Sequence, residues 1–286
     1  MKAKVQAYCS LSKPRIVTMI LVTTAIGYFF GAHGIPSYLH LFLTLLGTGL
    51  CCAGAAVLNC YLERDIDKKM KRTMRRPLPA GEVAPAEALG VGIVLVLAGT
   101  LFLAWKINLL TGFLALLTAF LYVLIYTPLK RVTWLNTLIG AIPGALPPMG
   151  GWAAATGDLS LGAWVLFLIL FFWQHPHFYA IAWMYREDYL RGGLKMLPCV
   201  EPDGNSTFRQ ILWFSVLLIP ISLLPTFMGM SGYLYFYGAL LLGLALLAAG
   251  VVVARSRSVA DAKQLLRASV IYLPLLLILI VTDAGF

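Results

Sequence analysis

The strongest constraint in this sequence is a series of nine apolar stretches, each near the ~20 residues a helix needs to cross the hydrocarbon core of a bilayer. They fall at about 16–32, 39–62, 87–105, 107–126, 134–155, 160–183, 208–228, 232–254 and 267–283. Lipid offers backbone amides no hydrogen-bond partner, so stretches of this kind are expected as helices. With 60% of its 286 residues hydrophobic and 12% charged, the chain lies outside the range of soluble globular domains. The expected fold is all-α: one polytopic membrane bundle of nine transmembrane helices over residues 1–286. Very short linkers, such as 156–158 and 229–232, make the helices they join antiparallel neighbours.

Charge then orients the spans. Every base except Lys106 falls at the N-terminus or in the linkers after spans two, four, six and eight. By the positive-inside rule the N-terminus and the long polar loops are cytoplasmic and the C-terminus lies outside, as expected for an inner-membrane protein. The net charge of +10 thus has a membrane explanation, and no nucleic-acid partner is expected. Every acid except Asp158 and Asp283 shares that face. A channel or transporter more often places charge at mid-membrane or on both sides. Polar groups gathered in loops 63–86 and 184–207 instead suit chemistry at one surface, on an amphiphile held in the bilayer. The basic N-terminus before an apolar run is like a signal peptide, but lacks a convincing cleavage site, so the run is read as a retained span. The five cysteines show no zinc spacing and are read as small buried hydrophobes.

The first loop is the richest. Residues 59–81, NCYLERDIDKKMKRTMRRPLPAG, hold three acids and seven bases between two apolar spans. Asn59, Glu63 and Asp67 recur at i, i+4 and i+8, one face of a helix. Stacked carboxylates repel unless a cation sits among them, and hard oxygen ligands suit Mg²⁺ shared with a phosphate. Lys68, Lys71, Arg72, Arg75 and Arg76 follow and can meet the remaining phosphate charge. A solvated basic loop whose acids balance its bases is the alternative.

The second loop, residues 171–198, reads FFWQHPHFYAIAWMYREDYLRGGLKMLP. Glu187 and Asp188 stand at the end of span six as the first acids do at the end of span two, and can hold a second metal or simply pair with Arg186 and Arg191. His175 and His177 flank Pro176 inside an apolar span, with Trp173, Gln174, Phe178 and Tyr179 nearby. Such imidazoles join helices by hydrogen bonds, ligate iron, order water or take a proton near neutral pH. Tyr126 and Lys130, at i and i+4, place an ammonium at a helix end, to meet a phosphate or to snorkel. Span five carries four glycines and three prolines, so it is either broken or closely packed, and it lines a cavity or makes a plain kink.

The segments LSKPR (11–15), N-x-x-x-E-R-D-I-D through RRPLPAG (59–81), YTPLKR (126–131) and HPHFYAIAWMYREDYLRGGLKMLP (175–198) resemble the UbiA-type membrane prenyltransferases. The last segment is similar to the branch of that family that prenylates haem. The likeness extends over nearly the whole chain. The family's aspartate-rich motif is commonly N-D-x-x-D-x-x-x-D. Here Asn59 and Asp67 match it, Glu63 replaces the middle Asp and Cys60 the first. In the second motif Arg186, Glu187 and Asp188 fall on part of the family's acidic run, with Tyr189 in an acidic place.

The resemblance implies a helical bundle whose central cavity opens to the membrane. It implies transfer of a farnesyl group from farnesyl diphosphate to a vinyl group of protohaem IX, with water added and diphosphate released, in the making of haem A for terminal oxidases. Mg²⁺ is the implied cofactor, on Asn59, Glu63, Asp67, Glu187 and Asp188. The implied diphosphate-binding residues are Lys68, Lys71, Arg72, Arg75, Arg76, Tyr126, Lys130, Arg186 and Lys195. His175, His177 and Tyr179 join Asn59, Glu63 and Asp67 as catalytic candidates, with Tyr179 and Trp183 facing the farnesyl cation. Protohaem is a substrate, so any histidine–iron bond is reversible. Haem A synthase and oxidase assembly proteins are the expected downstream partners. A quinone-precursor prenyltransferase, which has no need of paired histidines, and a haem transporter, which would release no diphosphate, are the competing readings.

Overall fold

The computed structural model describes residues 2–285, with side chains from Lys4 onward, so the Lys2 side chain lies outside the described residues. A short helix α1 (Lys2–Leu11) precedes α2 (Pro14–Gly31) and α3 (Tyr38–Asp67). After the first long loop comes α4 (Pro85–Lys106). Next, α5 (Leu109–Phe120), a π-helical turn (Leu121–Tyr126) and α6 (Thr127–Val132) form one continuous rod. They lead to α7 (Asn136–Thr156) and α8 (Leu161–Met184), then to the short helices α9 (Arg186–Arg191) and α10 (Leu197–Val200). The last three are α11 (Asn205–Phe227), α12 (Tyr233–Ser256) and α13 (Val259–Thr282).

Among the described residues, eight helical segments are long and apolar enough to cross a membrane. The ninth expected span, α7, forms an unbroken helix, but its polar N-terminal residues, glycines and prolines dilute its apolarity below that of the others. Tertiary packing accounts for its continuity. A Cβ on Gly27 would overlap the Pro148 carbonyl oxygen, and one on Gly151 the Thr24 carbonyl oxygen, so α2 and α7 meet backbone to backbone. Close approach of this kind supplies the dispersion contacts that hold helices together in lipid. Span five is therefore closely packed rather than broken, and the same unbroken helix also lines a cavity.

Sequential helices pack as antiparallel neighbours, with α2 against α7 and α8 against α11 and α13 closing the bundle. Several helices outrun the expected spans. The α3 helix continues from 62 to Asp67, carrying the polar ladder outward, and α13 starts at Val259, where Ser258 Oγ caps the Asp261 amide at 3.0 Å. At the other membrane face Asp283, one of the two outlying acids, accepts the Tyr235 amide at 2.7 Å and caps α12. The ends of α3 and α8 and the polar loops that follow them dock on each other through Ile66, Met70, Ala182, Leu194 and Met196.

Candidate active site

Between α2, α3, the α5–α6 rod, α7 and α8 lies a cavity of about 560 Å³. Its mouth is polar and its body apolar. The ladder on α3 is buried behind the wall at the mouth, in contact with the lining residues Lys13 and Lys130: Asn59 is 0% exposed, Glu63 7% and Asp67 0%. Lys13 Nζ donates to Asn59 Oδ1 at 2.5 Å and to the Tyr122 hydroxyl at 3.5 Å. Asn59 Nδ2 in turn donates to Thr127 Oγ1 at 2.9 Å. Lys130 Nζ lies 2.7 Å from Glu63 Oε1 and 4.4 Å from the Tyr126 ring centroid. Arg76 Nη1 lies 2.8 Å from Asp67 Oδ2. The other oxygen, Asp67 Oδ1, is buried and has no hydrogen-bond partner among the described residues.

Local backbone explains how these groups converge. Lys13 joins α1 to α2 in a left-handed conformation, φ 52°, that turns its side chain inward. Non-glycine residues adopt this region at a cost, and such strain recurs at functional sites. The π-helical turn at 121–126 stacks Tyr122 on Tyr126, with ring centroids 5.7 Å apart. Pro128, which has no N–H to give, sits where that turn meets α6. Burial works against charge on Lys13, but the Tyr122 hydroxyl and Glu63 outweigh it and raise its pKa above the ordinary lysine value. Arg76 is likewise opposed by burial and held charged by Asp67.

Arg72 completes the mouth. Its guanidinium carbon lies 5.1 Å from the Tyr185 ring centroid and 5.7 Å from that of Tyr189, and it lines the cavity with Arg15 and Tyr189. Lys68, Lys71, Arg75, Glu187 and Lys195 are exposed and lie outside the cavity wall. The backbone of Lys195 nevertheless ties loops together, its amide donating to the Lys130 carbonyl at 2.7 Å. Arg186 rests on the Trp183 ring at 4.7 Å and donates to the Pro202 carbonyl.

The second acidic pair departs from the expected metal role. Glu187 points to solvent. Asp188 accepts the amides of Lys71 and Arg72, each at 3.1 Å, and pairs with Arg191, so its oxygens brace the first loop against α9. Burial works to raise its pKa, but Arg191 and the two amides outweigh this and hold it below the ordinary carboxylate range.

The two histidines separate. His177 lines the cavity, stacks on Trp173 with centroids 5.1 Å apart, and has Nδ1 2.9 Å from Ser269 Oγ. Trp173 Nε1 donates to the Ser269 carbonyl at 2.8 Å. His175 is 0% exposed, stacked 3.6 Å from Phe214 on α11, and lies outside the cavity wall. Residues two apart on a helix point about 200° apart, so both cannot face one cavity. Tyr179, four residues beyond His175, shares its buried face, and Trp183 packs on Phe208 while donating to the Arg257 carbonyl. Against expectation, His175, Tyr179 and Trp183 do not face the cavity: Leu170, Trp173, Gln174, Phe178 and Ile181 are the α8 residues that line it beside His177.

Three residues at the mouth or wall were missed by sequence reasoning: Lys13, Tyr122 and Arg15. The signal for Lys13 was present in LSKPR, a base directly before the proline that opens a span.

Comparison with known proteins gives this geometry a family. The model of the UbiA prenyltransferase family matches residues 20–272. A protoheme IX farnesyltransferase from Solibacter usitatus is 50% identical over 285 residues, covering 96% of this chain and 98% of the relative. Another of that name, from Salinibacter ruber, is 47% identical over 279 residues, with coverage of 96% and 98%. In fold, the chain superposes on a digeranylgeranylglyceryl phosphate synthase with a TM-score of 0.83, over 99% of each chain at 18% identity. A UbiA homolog from Archaeoglobus fulgidus bound to GPP and Mg²⁺ gives a TM-score of 0.66, over 96% and 99% at 18% identity. With a family match over most of its length, relatives that align nearly end to end and the same helical bundle, the chain belongs to the UbiA prenyltransferase family and is a prenyltransferase.

Proposed function

We propose that the chain transfers the farnesyl group of farnesyl diphosphate to a vinyl carbon of protohaem IX, with addition of water and release of diphosphate. The observation that carries this reading is the polarity of the cavity between α2, α3, the α5–α6 rod, α7 and α8. Lys13, Arg15, Arg72 and Lys130 line its mouth, with Glu63 behind them paired to Lys130, and its body is apolar and aromatic with His177 in the wall. Two amphiphiles, each polar at one end, suit such a space. Relatives named protoheme IX farnesyltransferase support the choice of donor and acceptor.

The α3 ladder behind the mouth fits a divalent cation. Asp67 Oδ1 is a buried oxygen without a hydrogen-bond partner among the described residues, and ammonium groups already rest on Asn59 and Glu63. Asn59, Glu63 and Asp67 would hold Mg²⁺, which when bound offsets negative charge on a diphosphate. Glu187 and Asp188 do not fit a second ion: one is exposed, and the other is engaged by amides and Arg191.

Lys13, Lys130 and Arg72 meet the charge that develops on diphosphate as the allylic C–O bond breaks and its electron pair departs. Trp173, Phe178 and Ile181 keep bulk water from the farnesyl cation while the vinyl π electrons form the new carbon–carbon bond. Water adds to the cation left beside the porphyrin and releases one proton. His177, oriented by Ser269, contacts the porphyrin. The whole chain acts as one membrane domain, in the inner membrane with the N-terminus and the polar loops on the cytoplasmic side. Its product is a precursor of the haem A of terminal oxidases.

Incubating membranes that contain the protein with protohaem, farnesyl diphosphate and Mg²⁺ tests this, with extracted haems separated and weighed by mass spectrometry. A hydroxyethylfarnesyl haem that vanishes with chelator is expected. Diphosphate release with some other acceptor, and none with protohaem, would overturn the choice of acceptor.

A further inference from the structure

We infer that Gly150 sets the length of prenyl chain the cavity accepts; the inference rests on the prenyl-diphosphate reading above. Thr137, Gly140, Pro143, Gly144, Pro147 and Gly150 form the stripe of α7 that lines the cavity. The stripe changes character along its length. The place of a Cβ on Gly140 is filled by the Tyr126 ring, 2.5 Å away, and that on Gly144 by the Gln174 side chain. At Gly150, apart from its chain neighbours and its own helix backbone, no heavy atom of the described residues lies within 4 Å of a Cβ, although the residue belongs to the cavity wall. The space that opens there belongs to the cavity.

Gly150 also stands at the far end from the charged mouth. Ten residues of helix separate it from Gly140, a rise of about 15 Å. Asn108 Nδ2 donates to the Ala153 carbonyl at 2.8 Å, so one turn inward Thr111 on α5 and Gly150 on α7 share a level. Thr24 meets α7 at the adjoining Gly151. Beyond this level Phe30 and Trp152 fill the bundle with buried side chains. The hydroxyls at the floor are spent locally: Thr24 donates to the Ile20 carbonyl at 2.9 Å and Thr111 to Asn108 Oδ1 at 2.9 Å. Those bonds satisfy the hydroxyl protons within each helix, which makes the floor suited to the apolar tip of a prenyl chain whose diphosphate sits at the mouth. A side chain at 150 would take the volume of the terminal isoprene unit.

Gly150 has no left-handed backbone, so alanine or leucine enters the helix without strain and with better helix propensity. The test uses the full-length protein in detergent with Mg²⁺, and measures dissociation constants for geranyl, farnesyl and geranylgeranyl diphosphates without an acceptor. Gly150→Leu should weaken farnesyl and geranylgeranyl diphosphate by about ten-fold or more while moving geranyl diphosphate less than about two-fold. Gly150→Ala should shift the preference the same way by a smaller step. Gly90→Leu, at an exposed position on α4 that is also open, should leave all three unchanged. Equal weakening of the three donors by both Gly150 variants, or no change in any, would overturn the inference alone. A wild-type protein that binds none of them would overturn the prenyl-donor reading as well.

Discussion

At the scale of single residues, the site sets cationic side chains against an amide and two carboxylates of α3, behind the cavity mouth. Lys13 on Asn59, Lys130 on Glu63 and Arg76 on Asp67 each pair one element with another or with its own loop. Removing one charge leaves its partner uncompensated in a half-buried place. Glu63→Gln and Asp67→Asn should each lower turnover by about 100-fold or more while the protein remains inserted. Prenyl transfer by purified variants, alongside a thermal melt, checks this; activity unchanged in both would remove the ladder from the site. The histidines should behave oppositely to each other. His177→Ala should lose protohaem binding and keep diphosphate binding, because His177 lines the cavity. His175→Ala should keep protohaem binding and lose roughly 1–3 kcal/mol of stability, because His175 fills core against Phe214. The same loss of protohaem binding in both variants would contradict this division.

At the scale of elements, two local devices position the site. The first is the α2–α7 contact. Gly151 and Gly150 are neighbours with opposite surroundings, one against the Thr24 carbonyl and the other open. Gly151→Val must push backbone from backbone, and should cost about 1–3 kcal/mol or more in a denaturation series. The second device is Asp188, which caps the turn at Lys71 and Arg72. Its pKa is depressed in the folded protein, so the stability it contributes is present above the unfolded carboxylate value. That contribution is lost as pH falls through the folded value. Hydrogen exchange at the Lys71 and Arg72 amides should therefore stay slow at neutral pH and quicken on acidification, after correction for the intrinsic rate. In Asp188→Asn the amides should exchange fast at neutral pH already. Protection independent of both pH and the substitution would assign the turn's order to the apolar contacts of Ile66 and Met70 instead.

At the scale of the whole molecule, the bundle puts the charged lining residues Lys13, Arg15, Arg72 and Lys130 at one end of the cavity, with Glu63 paired to Lys130 behind them. A membrane-impermeant thiol reagent added to inverted vesicles should label cysteines placed at exposed Lys68, Arg75 or Glu187, and reagent added from the other side should not. The opposite pattern would reverse the proposed orientation. Much of this architecture is legible in the sequence because lipid imposes a simple rule: long apolar runs become helices, and short linkers make them neighbours. The i, i+4, i+8 spacing of Asn59, Glu63 and Asp67 is equally legible, since helix periodicity alone brings them to one face. Facing is another matter. The α8 helix is apolar around its circumference, so nothing in its pattern tells which of His175 and His177 meets the cavity. Glu187 and Asp188 adjoin in sequence, yet one is exposed and the other is bound to amides more than a hundred residues earlier. By itself the sequence determined the helices, their order and the polar ladder, all consequences of local periodicity and of the cost of bare backbone in lipid. Only the tertiary structure decided which face of each helix lines the cavity, that Lys13 reaches Asn59, and that Gly150 opens into space while Gly151 does not. Those outcomes depend on packing between helices distant in the chain, and no local pattern encodes them.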